Sequence, residues 1–158
     1  MKIIDNYLNK EDHLVLKEAL SSDTFPWFYN EYKVDEDKEL FNFQFTHSFY
    51  RDHTINSNHF ECLRPLLTKM KPHSLIRIKA NLTTVTHKQV SYKEHTDQLF
   101  KCSAAIYYIN TNDGYTLIKN KKIESKQNRI VFFDADTEHG STNATDCKNR
   151  MVINFNYF

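Results

Sequence analysis

The sequence predicts a mainly β fold of the α+β kind, a small barrel or jelly roll backed by helices, and three observations carry that expectation. From Ser74 onward, segments of strand length follow one another, some alternating apolar and polar, others continuously apolar. Turn chemistry separates them, most clearly at Asn112-Asp113-Gly114. Helical periodicity is confined to the first 73 residues, so two helices are expected to cover one face of a sheet.

Taken in order, Asn9 precedes Lys10-Glu11-Asp12 and then Leu14, Leu16, Ala19 and Leu20, which reads as an N-cap, an acidic first turn and an apolar stripe. A second helix fits Asn58 to Met70, with Phe60, Leu63, Leu66, Leu67 and Met70 on one face. Between them, the aromatic-rich stretches Phe25 to Tyr32 and Phe41 to Tyr50 suit strands. Later strands are expected at Leu75–Leu82, Ser103–Ile109, Tyr115–Ile118, Arg129–Phe133 and Met151–Phe158. At 158 residues the chain has the length of one domain, 1–158, with 1–73 as helical, variable support and 74–158 as the core.

Composition removes several function classes. A formal charge of +1 supplies no broad basic field for nucleic acid. Only Gly114 and Gly140 occur, so no glycine-rich phosphate cradle can be written. No run reaches membrane-spanning length, and Cys62, Cys102 and Cys147 are odd in number and widely spaced. They read as small apolar fillers, and a reducing cytoplasm is the expected setting.

The chemistry is sought in the C-terminal half. In His95-Thr96-Asp97 the imidazole and carboxylate are two apart, hence on one face of an extended strand. The triplet alone is what chance supplies in a chain with 8 histidines. His139 adds weight, since it stands where the apolar strand ending Phe132-Phe133 runs out into polar residues, beside Gly140, which is expected to ease a tight turn. Two histidines and a carboxylate on one side of a metal leave the opposite side open, as in the non-heme Fe(II) facial triad. Arg150 opens an apolar terminal strand and so needs an anion, either a structural acid or a ligand. Arg77 and Lys79 share a face and read as a solvated stripe, while Lys119, Lys121 and Lys122 read as a guard against edge pairing. His59-x-Glu61 falls on a helix, where residues two apart diverge. His13, His47, His53, His73 and His87 read as surface residues.

The ordered set His95-x-Asp97, His139, Arg150 resembles the 2-oxoglutarate/Fe(II)-dependent dioxygenase superfamily, in particular its prolyl-4-hydroxylase-like branch and short virus-encoded members of it. Arg77–Leu82, Ala105–Asn110, Gly114-Tyr115-Thr116 and Asn128–Asp134 support the likeness, which spans about residues 74 to 158. The resemblance implies a double-stranded β-helix, a jelly-roll or cupin-like barrel. It further implies Fe(II) held by His95, Asp97 and His139, and O2 and 2-oxoglutarate as co-substrates. Arg150 would pair with the distal carboxylate of 2-oxoglutarate, assisted by Tyr108, Asn154 and Asn81, and Tyr92 is a candidate for the substrate entrance. A carboxylate at position 97 implies hydroxylation, because halogenating relatives lack it. Nucleic-acid demethylases of the superfamily carry a second arginine where this chain has Asn156, which argues against nucleic acid. The implied substrate is a peptidyl, prolyl-type side chain, with a small metabolite next. A non-catalytic binding or virion-associated module with a vestigial metal site, and a cupin-like metalloenzyme without 2-oxoglutarate, are the competing readings.

Overall fold

The computed structural model describes residues 1–34 and 40–158. Helix α1 (Lys10–Ser21) starts as expected: the Asn9 side chain accepts the Asp12 N–H at 2.8 Å, and Glu11 and Asp12 set negative charge at the positive end of the helix. The expected helix from Asn58 to Met70 divides into a 3₁₀ turn, Phe60–Leu63, and α2 (Arg64–Met70). Pro65 explains the break. It has no N–H to give the carbonyl four residues back, so it is accommodated only in the first turn of a new helix.

The strands are β1 (Lys2–Ile4), β2 (Phe28–Asn30), β3 (Gln44–Arg51), β4 (Thr54–Ile55), β5 (Leu75–Thr84), β6 (Ser103–Tyr108), β7 (Tyr115–Ile118), β8 (Lys121–Glu124), β9 (Arg129–Asp134), β10 (His139–Ser141) and β11 (Asn149–Tyr157). One large antiparallel sheet runs β1-β9-β6-β11-β5-β3-β2, with β4 paired to β3; a small one runs β10-β7-β8. Bridges Ser91↔Thr142 and His95↔His139 lay the segment 91–95 beside β10 and extend the small sheet. The two sheets form the double-stranded β-helix.

Period-two alternation sorts the central strands. Ile78, Ala80, Ala105, Tyr107, Ile130, Met151, Ile153 and Phe155 point one way and pack against Leu16, Leu20, Leu63 and Leu66 of the helical layer. Each fully buried aliphatic or aromatic side chain there contributes roughly 1.5–3 kcal/mol. Ile106, Tyr108, Val131, Phe133 and Val152 point the other way and meet Ile118 and Ile123 of the small sheet. Polar side chains of the same inner face, Lys79, Asn81, Arg150 and Asn154, line a cavity between the sheets.

Strands β1, β8 and β10 carried no sequence signal, being only three or four residues long, and β8 mostly charged. The β7–β8 hairpin turns on Lys119 and Asn120, both left-handed (φ 50° and 61°), and its lysines lie exposed along the edge strand β8. His53, His73 and His87 are exposed as expected, but His13 and His47 are buried. His13 Nδ1 meets the Tyr107 hydroxyl at 2.7 Å, and His47 bridges the Pro26 carbonyl and the Ser57 hydroxyl. Both nitrogens of His47 and the Nδ1 of His13 meet partners outside their own strand or helix, which local pattern cannot reveal. The three cysteines are free and half-buried rather than fully buried fillers.

Asp5 fastens β1 to the body. Arg129 donates to both its carboxylate oxygens at 2.6 and 3.1 Å, and Lys126 adds a third bond at 2.8 Å. These hydrogen bonds hold the Asp5 pKa below its ordinary value, so the clamp is complete above the unfolded carboxylate range and is lost as pH falls. Melting temperature followed from pH 7 to pH 3 is expected to fall less steeply in Asp5→Asn than in the parent; parallel curves would show that the clamp contributes nothing.

Candidate active site

An antiparallel bridge brings the two histidines together. The His95 N–H donates to the His139 carbonyl and the His139 N–H to the His95 carbonyl, both at 2.9 Å. Directly opposed residues on paired strands project side by side, and the two rings lie 4.6 Å apart. Asp97, one alternation beyond His95, is anchored by its N–H to the Ala135 carbonyl at 3.1 Å. Ligand-capable atoms of His95, Asp97 and His139 all lie within 4.8 Å of one another. The three residues singled out in the sequence therefore converge.

Gly140 has a different role from the tight turn expected of it. Its φ is ordinary, but a Cβ there would stand 3.0 Å from Glu94 Cγ and 3.2 Å from the Tyr92 carbonyl oxygen. Close approach of the segment bearing His95 is what requires glycine.

Proton positions suit a cation. The Nδ1–H of His139 donates to the Thr137 carbonyl at 3.1 Å, which leaves the Nε2 lone pair free in the neutral ring. That Nε2 and the Nδ1 of His95 are buried with no hydrogen-bond partner among the described residues. Such orphaned atoms each cost about 1–3 kcal/mol unless something binds them. Burial, and then the neighbouring His139, push His95 down to about 4 against the opposing pull of Asp97, so its ring is neutral at pH 7. Asp97 is held below its usual range despite burial, which acts to raise it. Arg77, His139, the Asn156 amide and His95 prevail. Arg77 donates to Asp97 Oδ1 at 2.6 Å and Asn156 to Oδ2 at 3.0 Å.

These two supports were missed in the sequence. Arg77 is an inward residue that orients the carboxylate, and Lys79 lines the cavity; neither belongs to a solvated stripe. Burial of a strand face by a second sheet is not encoded in the strand itself. Asn156 continues the inward alternation of Arg150, Val152 and Asn154, which was the available signal.

Arg150 occupies the other end of the cavity. It is 4% exposed, with Nε donating to Ser125 Oγ at 2.8 Å and Nη2 to Thr116 Oγ1 at 2.9 Å. No acidic side chain among the described residues pairs with it, so none of them supplies the structural acid and the guanidinium can take an anion. Tyr108 lies behind this group: its hydroxyl donates to Thr116 Oγ1 at 2.8 Å, and its ring sits 5.7 Å from the guanidinium. Burial raises its pKa, keeping it a phenol that can donate. Asn81 and Asn154 line the cavity between the two ends, each with a buried side-chain oxygen lacking a partner among the described residues. The cavity encloses about 380 Å³.

Comparison with known proteins agrees with this arrangement. Residues 80–158 match the family model described as the 2OG-Fe(II) oxygenase superfamily. Among curated proteins no sequence matches. Among solved structures, a prolyl hydroxylase from Trichoplax adhaerens, in complex with a hypoxia-inducible-factor oxygen-degradation-domain peptide, superposes with a TM-score of 0.72 at 16% identity, covering 99% of this chain and 82% of that one. The viral collagen prolyl hydroxylase of Paramecium bursaria Chlorella virus-1, in its 2OG complex, gives 0.63 at 11% identity, covering 98% and 93%. The α-ketoglutarate-dependent epimerase SnoN of nogalamycin biosynthesis gives 0.69 at 10% identity, covering 99% and 76%. At these identities the structural matches speak to the fold.

Gly114 makes room for the arginine. A Cβ there would fall 2.7 Å from Arg150 Cδ and 2.7 Å from the Asn143 carbonyl oxygen. Gly114→Ala should therefore destabilise by about 1–3 kcal/mol in urea unfolding. Gly140→Ala, where the nearest atom is a flexible Glu94 methylene, should cost less; the reverse order would show that Arg150 adjusts freely.

Proposed function

This chain belongs to the 2OG-Fe(II) oxygenase superfamily, and from that premise and the site geometry we propose that it hydroxylates a peptidyl, prolyl-type side chain. It is a 2-oxoglutarate-dependent oxygenase, and Fe(II), 2-oxoglutarate and O2 are its cofactor and co-substrates. His95, Asp97 and His139 are the residues that would hold the iron, and their orphaned ring nitrogens and paired carboxylate fit it. When bound, iron and its keto-acid partner supply the oxidation that turns O2, 2-oxoglutarate and a C–H bond into succinate, CO2 and an alcohol.

The single observation that carries the reading is Arg150, a buried guanidinium with no acid beside it among the described residues, in the same cavity as the triad. It would pair with the distal carboxylate of 2-oxoglutarate. Thr116 and Ser125 fix the plane of the guanidinium, and Tyr108 holds Thr116 in turn. Asn81 and Asn154 line the wall along which the co-substrate would lie. Arg77 and Asn156 keep Asp97 ionised and oriented, and the neutral His95 presents a lone pair rather than a proton. The protein's part is to hold reactants in line and keep water away. Support for a peptide substrate comes from the shared fold with prolyl hydroxylases, one of them in complex with a peptide.

His139→Ala is expected to abolish succinate formation, while His59→Ala, outside the site, leaves it intact. Arg150→Ala should raise the 2-oxoglutarate requirement by about tenfold to a hundredfold, the worth of a charged hydrogen-bonded pair, without a matching rise in the iron requirement. Equal rises in both would give Arg150 a structural role only. Succinate release across a panel of proline-containing peptides and small metabolites tests the substrate. Stimulation by peptides is expected, and stimulation confined to metabolites would overturn the peptidyl assignment.

A further inference from the structure

The cavity holds more positive charge than the proposed reaction uses. Among the described residues its wall carries four basic side chains, Lys33, Arg77, Lys79 and Arg150, and one carboxylate, Asp97. Arg77 and Asp97 neutralise each other at 2.6 Å. On the reading above, on which this inference rests, 2-oxoglutarate gives one carboxylate to the metal and the other to Arg150. Both anionic ends of the co-substrate are then spoken for, and two lysine side chains remain.

Lys79 is the more telling of the two. It stands in the middle of β5, opposite Asn154 of β11 and Ser48 of β3, with its side chain on the cavity side. It makes no hydrogen bond and no ion pair among the described residues. It lines the same cavity as His95, Asp97 and His139. Burial, and then Arg77, bring Lys79 down to about 8, which still leaves it protonated at neutral pH. Lys33 faces the same space from the N-terminal third. Its Nζ donates to Ser141 Oγ at 3.0 Å and lies 3.4 Å from the centre of the Tyr92 ring. No acid among the described residues opposes it, and burial first, then Arg150 and Lys79, bring its pKa well below the ordinary lysine value.

A desolvated cation without a counter-ion is costly, and here Lys79 shares one small space with a guanidinium. An uncharged substrate side chain packed against Lys79 would leave the ammonium unpaired. We propose that the substrate to be oxidised carries a carboxylate and that Lys79 pairs with it beside the reacting C–H bond. Lys79 is then a specificity-determining residue. A carboxylate suits the wall better than a phosphate, because the cavity is lined by side chains and offers no backbone cradle: neither glycine of the chain is among its lining residues, and both are crowded by neighbours. The carboxylate has two sources, an acidic residue of a peptide or the free carboxylate of an amino acid.

The test uses the Fe(II)- and 2-oxoglutarate-loaded protein without oxygen. Two matched pools of proline-containing peptides are offered, one bearing Asp and Glu, the other Asn and Gln, each with capped termini. Free proline and prolinamide form a second matched pair. Equilibrium binding is measured alongside uncoupled succinate release in air. The acidic member of at least one pair should bind about tenfold to a hundredfold better than its amide. Preference in the peptide pair or in the proline pair identifies the source. Lys79→Met should erase the preference and Lys79→Arg keep it, both with unchanged affinity for 2-oxoglutarate. Equal binding of acid and amide, no binding by either pair, or a loss of 2-oxoglutarate affinity in Lys79→Met would overturn the proposal. Failure of the oxygenase reading itself would be separate and visible as no succinate from the unaltered protein.

Discussion

An arginine buried on the central strand of a sheet, with no acid among the described residues to meet it, is the constraint around which this molecule is arranged. A guanidinium in a dry cavity is tolerable only if its donors are occupied and its charge can be answered. Ser125 and Thr116 occupy two donors, Tyr108 holds Thr116, and Gly114 leaves space for the aliphatic stem. Thr116, Gly114 and Ser125 lie on or beside β7 and β8 of the small sheet, and Tyr108 on β6, the neighbour of β11 in the large one. On the reading proposed above, that charge is answered by the distal carboxylate of 2-oxoglutarate.

The opposite end of the cavity obeys the complementary rule. A pair of reciprocal backbone bonds between His95 and His139 sets two imidazoles side by side, and Asp97 joins them by strand alternation. Each is prepared for a cation by a different neighbour: Thr137 fixes the His139 tautomer, burial keeps His95 neutral, and Arg77 with Asn156 keeps Asp97 charged and oriented. The helical layer takes no part in this chemistry. It covers the far face of the large sheet and so holds the inner face in register.

Much of this was legible in the residues because it is local. The Asn9 cap, the alternation of β5 and β11, and the His-x-Asp spacing depend on neighbours within a few positions, where periodicity and backbone geometry act directly. The order His95, Asp97, His139 and Arg150 marked the family, and the structure brings all four into one cavity. The 3₁₀ break before Pro65 was also readable in principle, since proline's missing N–H is a local fact.

What the sequence by itself determined is therefore the longer strands, the triad residues and the need of Arg150 for an anion. Tertiary structure alone decided which side of each strand meets the helices and which meets the second sheet. That choice turned Arg77 and Lys79 from an apparent surface stripe into a carboxylate support and a cavity-facing cation, and it buried His13 and His47. A two-residue period states that alternate side chains share a face; only the partner laid across that face makes it wet or dry, and charge is governed by that difference.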